Sequence, residues 1–228
     1  SGTLTTNSAS GSAYPTGLPL DAWRLISTPA VLNETGLTQV FDELGTQDNT
    51  VWRVFKYDDV SNTYKDNPVD LNSTESYWIY QKTEDNLTMD TPAGKTGDMA
   101  GTEITLKTGW NFIGSPYPFQ VPLQLDQVQF YGPLTYGISG ESWSPVVTEL
   151  DPWNGYVVYN RMSTDQIITL DPSIGSGTTV ARKVEESGWL VSLDLSSGTH
   201  GDHINTLGAL ETAEDALEWH DNPEIRSP

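Results

Sequence analysis

A few stretches of this chain hold residue types that could do chemistry, and each has a plainer use. His200-Gly-Asp-His203 gathers two imidazoles and a carboxylate within four residues, the donor types of a zinc site. Donors this close together on one loop are poorly spaced for a single ion. Gly201 and Asp202, with Asn205, read better as a glycine-rich turn whose polar side chains bond the backbone. His220 stands apart beside Asp221. Asp58, Asp59, Ser61 and Asn62 carry the oxygen ligands that Ca²⁺ prefers. The corresponding stretch later in the chain, Gly137 to Gly140, has no carboxylate, so turn formation explains Asp58 to Asn62 better than an ion does. Asp and Glu are abundant enough for a glycosidase-like pair, but no spacing singles one out. Gly-x-Ser-x-Gly, phosphate-loop and dinucleotide signatures are absent from the sequence.

The remaining chemistry is aromatic. Trp52, Trp78, Trp143 and Trp153 are candidate platforms for stacking on sugar rings or gripping a neighbouring protein. Trp153, in Leu150-Asp-Pro-Trp-Asn-Gly155, sits in a turn, either as a lid on the core or as an exposed contact. Trp23, Trp110, Tyr77, Tyr156 and Trp189 are expected to point inward as core. Asn33, Asn72 and Asn86 open Asn-x-Ser/Thr sequons in loops or turns, which makes them glycosylation candidates.

The elements that carry these residues recur. An offset of 79 separates Tyr57 from Tyr136, Tyr64 from Trp143, and Tyr77-Trp-Ile-Tyr80 from Tyr156-Val-Val-Tyr159. Trp23-Arg-Leu-Ile-Ser-Thr-Pro29 answers Trp110-Asn-Phe-Ile-Gly-Ser-Pro116 at an offset of 87. Repetition on this scale dictates architecture before any local motif does. Most of what recurs alternates like strand. Trp52 to Tyr57, the Asp58–Asn62 turn and Thr63-Tyr64 predict a hairpin, and Tyr131 to Tyr136 with Trp143 predict its counterpart. Asn86 to Met89 reads as a short strand, Thr91 to Gly101 as a loop, Glu103 to Lys107 and Ile167 to Leu170 as strands, and Leu123 to Val128 as weak helix. Leu37, Val40, Phe41 and Leu44 fit one helical face closed by Gly45. Near the end, Gly188 to Leu195 alternates as a strand and Ala213 to Trp219 predicts a short helix. The expected fold is all-β: a linker or edge strand over 1–20, one unit over 21–101, a second over 102–175, and a β-rich segment over 176–228. A sandwich is favoured over a closed barrel.

Composition narrows the partners. A formal net charge of −20 argues against nucleic acid, which requires a basic surface, and against anionic membrane surfaces. No apolar run approaches the ~20 residues of a membrane-spanning helix. The chain has no cysteine, which rules out thiol catalysis, thiolate metal sites and disulfides. No cofactor is expected; Ca²⁺ is the one ion the acidity would suit. Both ends read as cut from a longer polypeptide.

The motifs Trp23–Pro29, Val40-Phe-Asp-Glu-Leu-Gly45, Trp52–Asp58, Tyr64 and Tyr77-Trp78 resemble the first half of a β-rich tandem module found near the C-terminus of large secreted multidomain bacterial proteins. Gly109–Pro116 with Leu150–Tyr156 resembles its second half. Trp189 to Pro228 is similar to the segment that follows, with Asp202, Asn205, Gly208, Ala213, Asp215 and Asp221 at the pattern positions. In such proteins a sorting domain of the type IX secretion route often comes next. The resemblance implies an extracellular or cell-surface location. The duplication, the lack of a catalytic constellation and the cut ends point to a non-enzymatic role in linking, displaying or assembling a larger surface protein, in a filament or layer if residues 1–12 or 221–228 add strands to a neighbouring, identical subunit. Neighbouring domains of the same polypeptide are the other expected partners. The alternative is a carbohydrate-binding module that uses exposed aromatics on polysaccharide.

Overall fold

The computed structural model describes residues 5–6, 14, 17–137, 141–172, 188–197 and 200–210, and of 5–6, 188–197 and 200–210 the course of the backbone alone. The fold is all-β and sandwich-like, with one short helix among the described residues and no closed barrel. One sheet has four strands: β2 (Arg24–Ile26), β6 (Tyr77–Gln81), β4 (Trp52–Asp58) and β5 (Thr63–Asp66), in that order. A second has three: β11 (Phe130–Leu134), β13 (Tyr156–Asn160) and β9 (Gly109–Ile113). Two-stranded ribbons flank them: β8 (Thr102–Leu106) with β14 (Gln166–Leu170), and β10 (Val121–Pro122) with β12 (Glu149–Leu150). β1 (Thr5–Thr6), β7 (Gly94–Lys95) and β3 (Val31–Leu32) form a small third sheet. β15 (Gly188–Ser197) and β16 (His200–Leu210) pair as a long antiparallel ribbon. No described helix is long and apolar enough to cross a membrane.

Period-two alternation sends each strand's side chains to two different cores. On β6, Tyr77 and Ile79 enter a cluster with Trp52, Val54, Leu37, Phe41 and Leu44. Trp78, between them, points the other way, into a layer with Leu25, Leu134, Trp143 and Val157. On β13, Tyr156 and Val158 join a third cluster with Ile104, Leu106, Ile168 and Leu170 from the flanking ribbon. The middle layer is the contact between the two large sheets. Each sheet therefore has its own outer core and shares the aromatic one.

The pairing of the two sheets follows the offsets in the sequence. Leu25 lies opposite Trp78 and Ile26 opposite Tyr77; Phe112 lies opposite Val157 and Ile113 opposite Tyr156. Trp52 faces Gln81 as Phe130 faces Asn160, and Phe55 faces Trp78 as Leu134 faces Val157. The register slips by one residue between Tyr131 and Leu134, at a β-bulge containing Gly132-Pro133. The sheets are then stitched together reciprocally. Ser27 N–H donates to the Trp153 carbonyl (2.8 Å), and its counterpart Gly114 N–H donates to that of Thr74 (2.9 Å). Gly155 N–H donates to the Leu25 carbonyl (2.9 Å) and Ser76 N–H to that of Phe112 (3.3 Å). Bridges Ile26–Asn154 and Glu75–Ile113 complete the set. Each contact has a partner related by the same offsets, as in an isologous twofold interface, here within one chain.

Two buried side chains hold the corresponding turns. Gln81 donates to the carbonyls of Leu18, Pro19 and Glu84 and accepts from Thr83. Asn160 donates to those of Leu106 and Thr164 and accepts from the Met162 amide. The Tyr77 hydroxyl accepts the Asn72 N–H and the Tyr156 hydroxyl the Asp151 N–H, both at 2.7 Å. Burial raises both phenols well above the ordinary value of 10.0, and Tyr64 likewise. Above that value the unfolded chain gives up these protons while the folded chain keeps them. Stability is therefore intact below pH 10 and falls as pH rises past it. Alkaline titration is expected to release tyrosinate from these three residues only together with loss of the tertiary circular dichroism signal. Early, independent ionisation would show that the hydroxyls are not buried.

The structure departs from the sequence expectations in several places. Tyr14 and Leu18, in the stretch expected to be linker, are buried in the first core; Leu18 exchanges backbone hydrogen bonds with Leu87. Asn86–Met89 is not a strand; among the described residues it makes that bridge and accepts the Tyr14 N–H at the Met89 carbonyl. The loop over Thr91–Gly101 contains β7. Leu123–Val128 is not helical, because Leu123 N–H is taken by the Thr148 carbonyl and Asp126 closes a tight turn onto Gln129 and Phe130. The helix at Leu37 lasts only through Val40 before tightening to a 3₁₀ turn over Asp42–Leu44. The expected turn at Gly201-Asp202 is extended strand, paired with Ser196 and Leu195 of β15, and the register shifts between Asp202 and Asn205. The predicted helix Ala213–Trp219 and His220 lie outside the described residues.

Candidate functional site

The four tryptophans proposed as platforms are not exposed. Trp52, Trp78 and Trp153 have no accessible surface and Trp143 keeps 8%. Trp52 faces the first core because it shares a strand face with Val54. Trp78 and Trp143 meet edge to face, centroids 5.7 Å apart, in the layer between the sheets. Trp153 leaves the second sheet altogether and packs on Tyr14 in the core of the first. Trp23 and Trp110, expected as core, are instead half-buried at the sheet ends. Each lies 5.1 Å from a tyrosine, Tyr80 and Tyr159 respectively. The side chain of Trp189 lies outside the described residues. Asn33, Asn72 and Asn86 are all exposed; the Asn72 side chain accepts from the amide and hydroxyl of Thr74, its own sequon residue.

The Asp58–Asn62 turn is held by its own groups. The Asp58 carboxylate accepts from Ser61 Oγ (2.7 Å) and Lys65 Nζ (2.8 Å), which holds it below the usual carboxylate range. Asn62 takes the left-handed backbone and accepts from the Tyr57 hydroxyl. Among the described residues, the one group of carboxylates close enough to share a cation is Asp42, Glu43 and Asp90, with oxygens within 4.8 Å of one another. Glu43 already accepts the Asp90 amide at 2.6 Å, and burial raises its pKa, which favours the neutral acid. The group works as a clasp between the 3₁₀ turn and the segment at Asp90.

A cleft of about 320 Å³ opens where the β4–β5 hairpin of one half meets β8 and β9 of the other. Its aromatic wall is Tyr57 stacked on Phe112 (4.7 Å) beside half-buried Trp110. Four carboxylates (Asp58, Asp59, Glu75, Glu103) and two ammonium groups line it. The ammonium groups are already matched, Lys56 with Glu75 at 2.6 Å and Lys65 with Asp58. Asp59 and Glu103 have no ion pair among the described residues and are exposed. Glu103 and Thr105 reach the cleft because β8 alternates them outward against buried Ile104 and Leu106. Sequence reading missed this site. The signal available was a break in the repetition, since Lys56 and Glu75 correspond to Thr135 and Asn154.

No protein-family model, curated protein or solved structure matches the chain.

Proposed function

We propose that this chain is a non-catalytic structural module of a larger extracellular bacterial protein, in which two related units are locked into one rigid body that links or displays its neighbours. The observation that supports this best is the reciprocal main-chain stitching at Leu25–Ser27, Phe112–Gly114, Thr74–Ser76 and Trp153–Gly155. Such a joint resists relative motion of the halves, which suits a spacer more than a hinged enzyme. The tryptophans that a sugar-binding module would display are buried, Trp78 and Trp143 between the sheets and Trp52 and Trp153 in the first core. The module reading expects unfolding of 17–172 as one cooperative transition, coincident for probes in either half. It also expects no turnover of polysaccharide or peptide substrates by the isolated chain, and detection of the parent protein on intact cells by antibodies against this region. Two separate transitions, or measurable hydrolysis, would end it.

A further inference from the structure

We infer that the cleft between β4–β5 and β8–β9 binds the guanidinium of an arginine side chain presented by another polypeptide segment. The molecule holds its own precedent. At the place related by the internal repeat, Arg24 lies across Gly137, so close that a Cβ there would come within 2.6 Å of Arg24 Cδ. Arg24 corresponds to Asn111 and Gly137 to Asp58, and both counterparts line the cleft. Asn111 does not fill it. Its amide is turned back onto the Lys107 and Gly109 carbonyls and the Lys107 N–H. One side is thus occupied from within by an arginine, while the other is open and lined by carboxylates in excess.

The lining chemistry selects the same group. The cleft's carboxylates are too widely spread to surround a bare metal ion, because the only such cluster among the described residues is at Asp42, Glu43 and Asp90. Asp59 and Glu103 put negative charge on a cleft that Trp110 and Phe112 also line, and a planar guanidinium is the cation that suits carboxylates and aromatic faces together. The chain makes cation–ring contacts elsewhere, closest with Arg53 over Phe55 at 4.7 Å, and at 5.7 Å with Arg161 over Tyr131 and Lys82 over Tyr80. Lysine would bring a compact, strongly hydrated charge that gains less from the aromatic wall.

The test is titration of the isotope-labelled whole chain with N-acetyl-arginine amide, followed by nuclear magnetic resonance. Shifts are expected at the Trp110 indole N–H and at the Asp59 and Thr105 amides, with Kd on the order of 10 mM and weakening in added salt. N-acetyl-citrulline amide, with the same shape and no charge, is expected to leave the spectrum unchanged. The double variant Asp59→Asn/Glu103→Gln should bind arginine about tenfold more weakly. Its melting temperature should be unaltered, since both side chains are exposed. Silence with arginine, equal response to citrulline, undiminished binding by the double variant, or shifts at Trp110 with cellohexaose in place of arginine would each overturn the assignment. The outcome is separate from the module reading, which substrate turnover tests and this titration does not.

Discussion

Gly114→Ala and Gly155→Ala are each expected to destabilise the protein by about 3 kcal/mol or more, or to prevent folding. Neither glycine has the left-handed backbone that favours glycine, so the reason is space alone. A Cβ on Gly114 would lie 2.5 Å from the Glu75 carbonyl oxygen and 2.6 Å from Ser27 Cβ; one on Gly155 would lie 2.6 Å from Ser76 Cβ and 2.9 Å from the Ile26 carbonyl. Ile26 is held by pairing with β6 and by its bridge to Asn154, and Glu75 by its bridge to Ile113, so the joint would have to open. Gly45 provides the control. Its φ of 70° favours glycine, but a Cβ there meets nothing within 4 Å, and Gly45→Ala should cost only about 1 kcal/mol. Urea denaturation of the three variants reads the difference directly. Equal losses at all three positions would mean that the close approach does not exist. Because Ser27 and Gly114 face one another, the Ser27→Gly/Gly114→Ala double variant should recover part of the loss, a non-additivity that distant positions do not show.

Trp78→Ala should cost about 3–5 kcal/mol. The ring has no exposed surface and lies within 6.3 Å, centroid to centroid, of Trp23, Tyr136 and Trp143, which come from both halves. Its removal empties the centre of the layer between the sheets and leaves a cavity among the remaining rings. Trp23→Ala, at the half-buried end of the same layer, should cost clearly less. The comparison is made by thermal and urea unfolding of both variants. A Trp23→Ala loss as large as that of Trp78→Ala would place the weight of the layer at its rim instead of its centre.

The strand pattern was legible in the sequence where alternation was strong. Trp52–Tyr57 and Tyr77–Tyr80 are strands, and Phe112, Val157 and Leu134 stand opposite one another at the spacing of Leu25, Trp78 and Phe55. What alternation cannot tell is which of two buried faces a residue occupies. In a strand covered on both sides, such as Tyr77-Trp-Ile-Tyr80, every position reads as apolar, so Trp78 was as plausible outside as inside. Trp153 was opaque for a different reason: its destination is the other half's core, and no local pattern specifies a contact with Tyr14. The cleft was illegible because it is built from a difference between the halves, while reading for repetition attends to what they share. Residues 200–205 misled in the opposite direction. Their glycine and aspartate carry strong local turn signals, which lose to pairing with β15 on either side of a register shift between Asp202 and Asn205.

Serine meets glycine twice where the halves cross, Ser27 against Gly114 and Ser76 against Gly155, with room for only one β-carbon substituent in each place. Two copies of the first half set against each other would bring serine onto serine and be excluded. Two copies of the second would leave glycine against glycine and an unfilled gap. The mismatch therefore acts as a mating code: the first half accepts only a second half, whether its own or one from another molecule. Any oligomer formed by exchanging halves must keep that one-to-one alternation, closing into a ring of two or more chains or running on as an open chain of them.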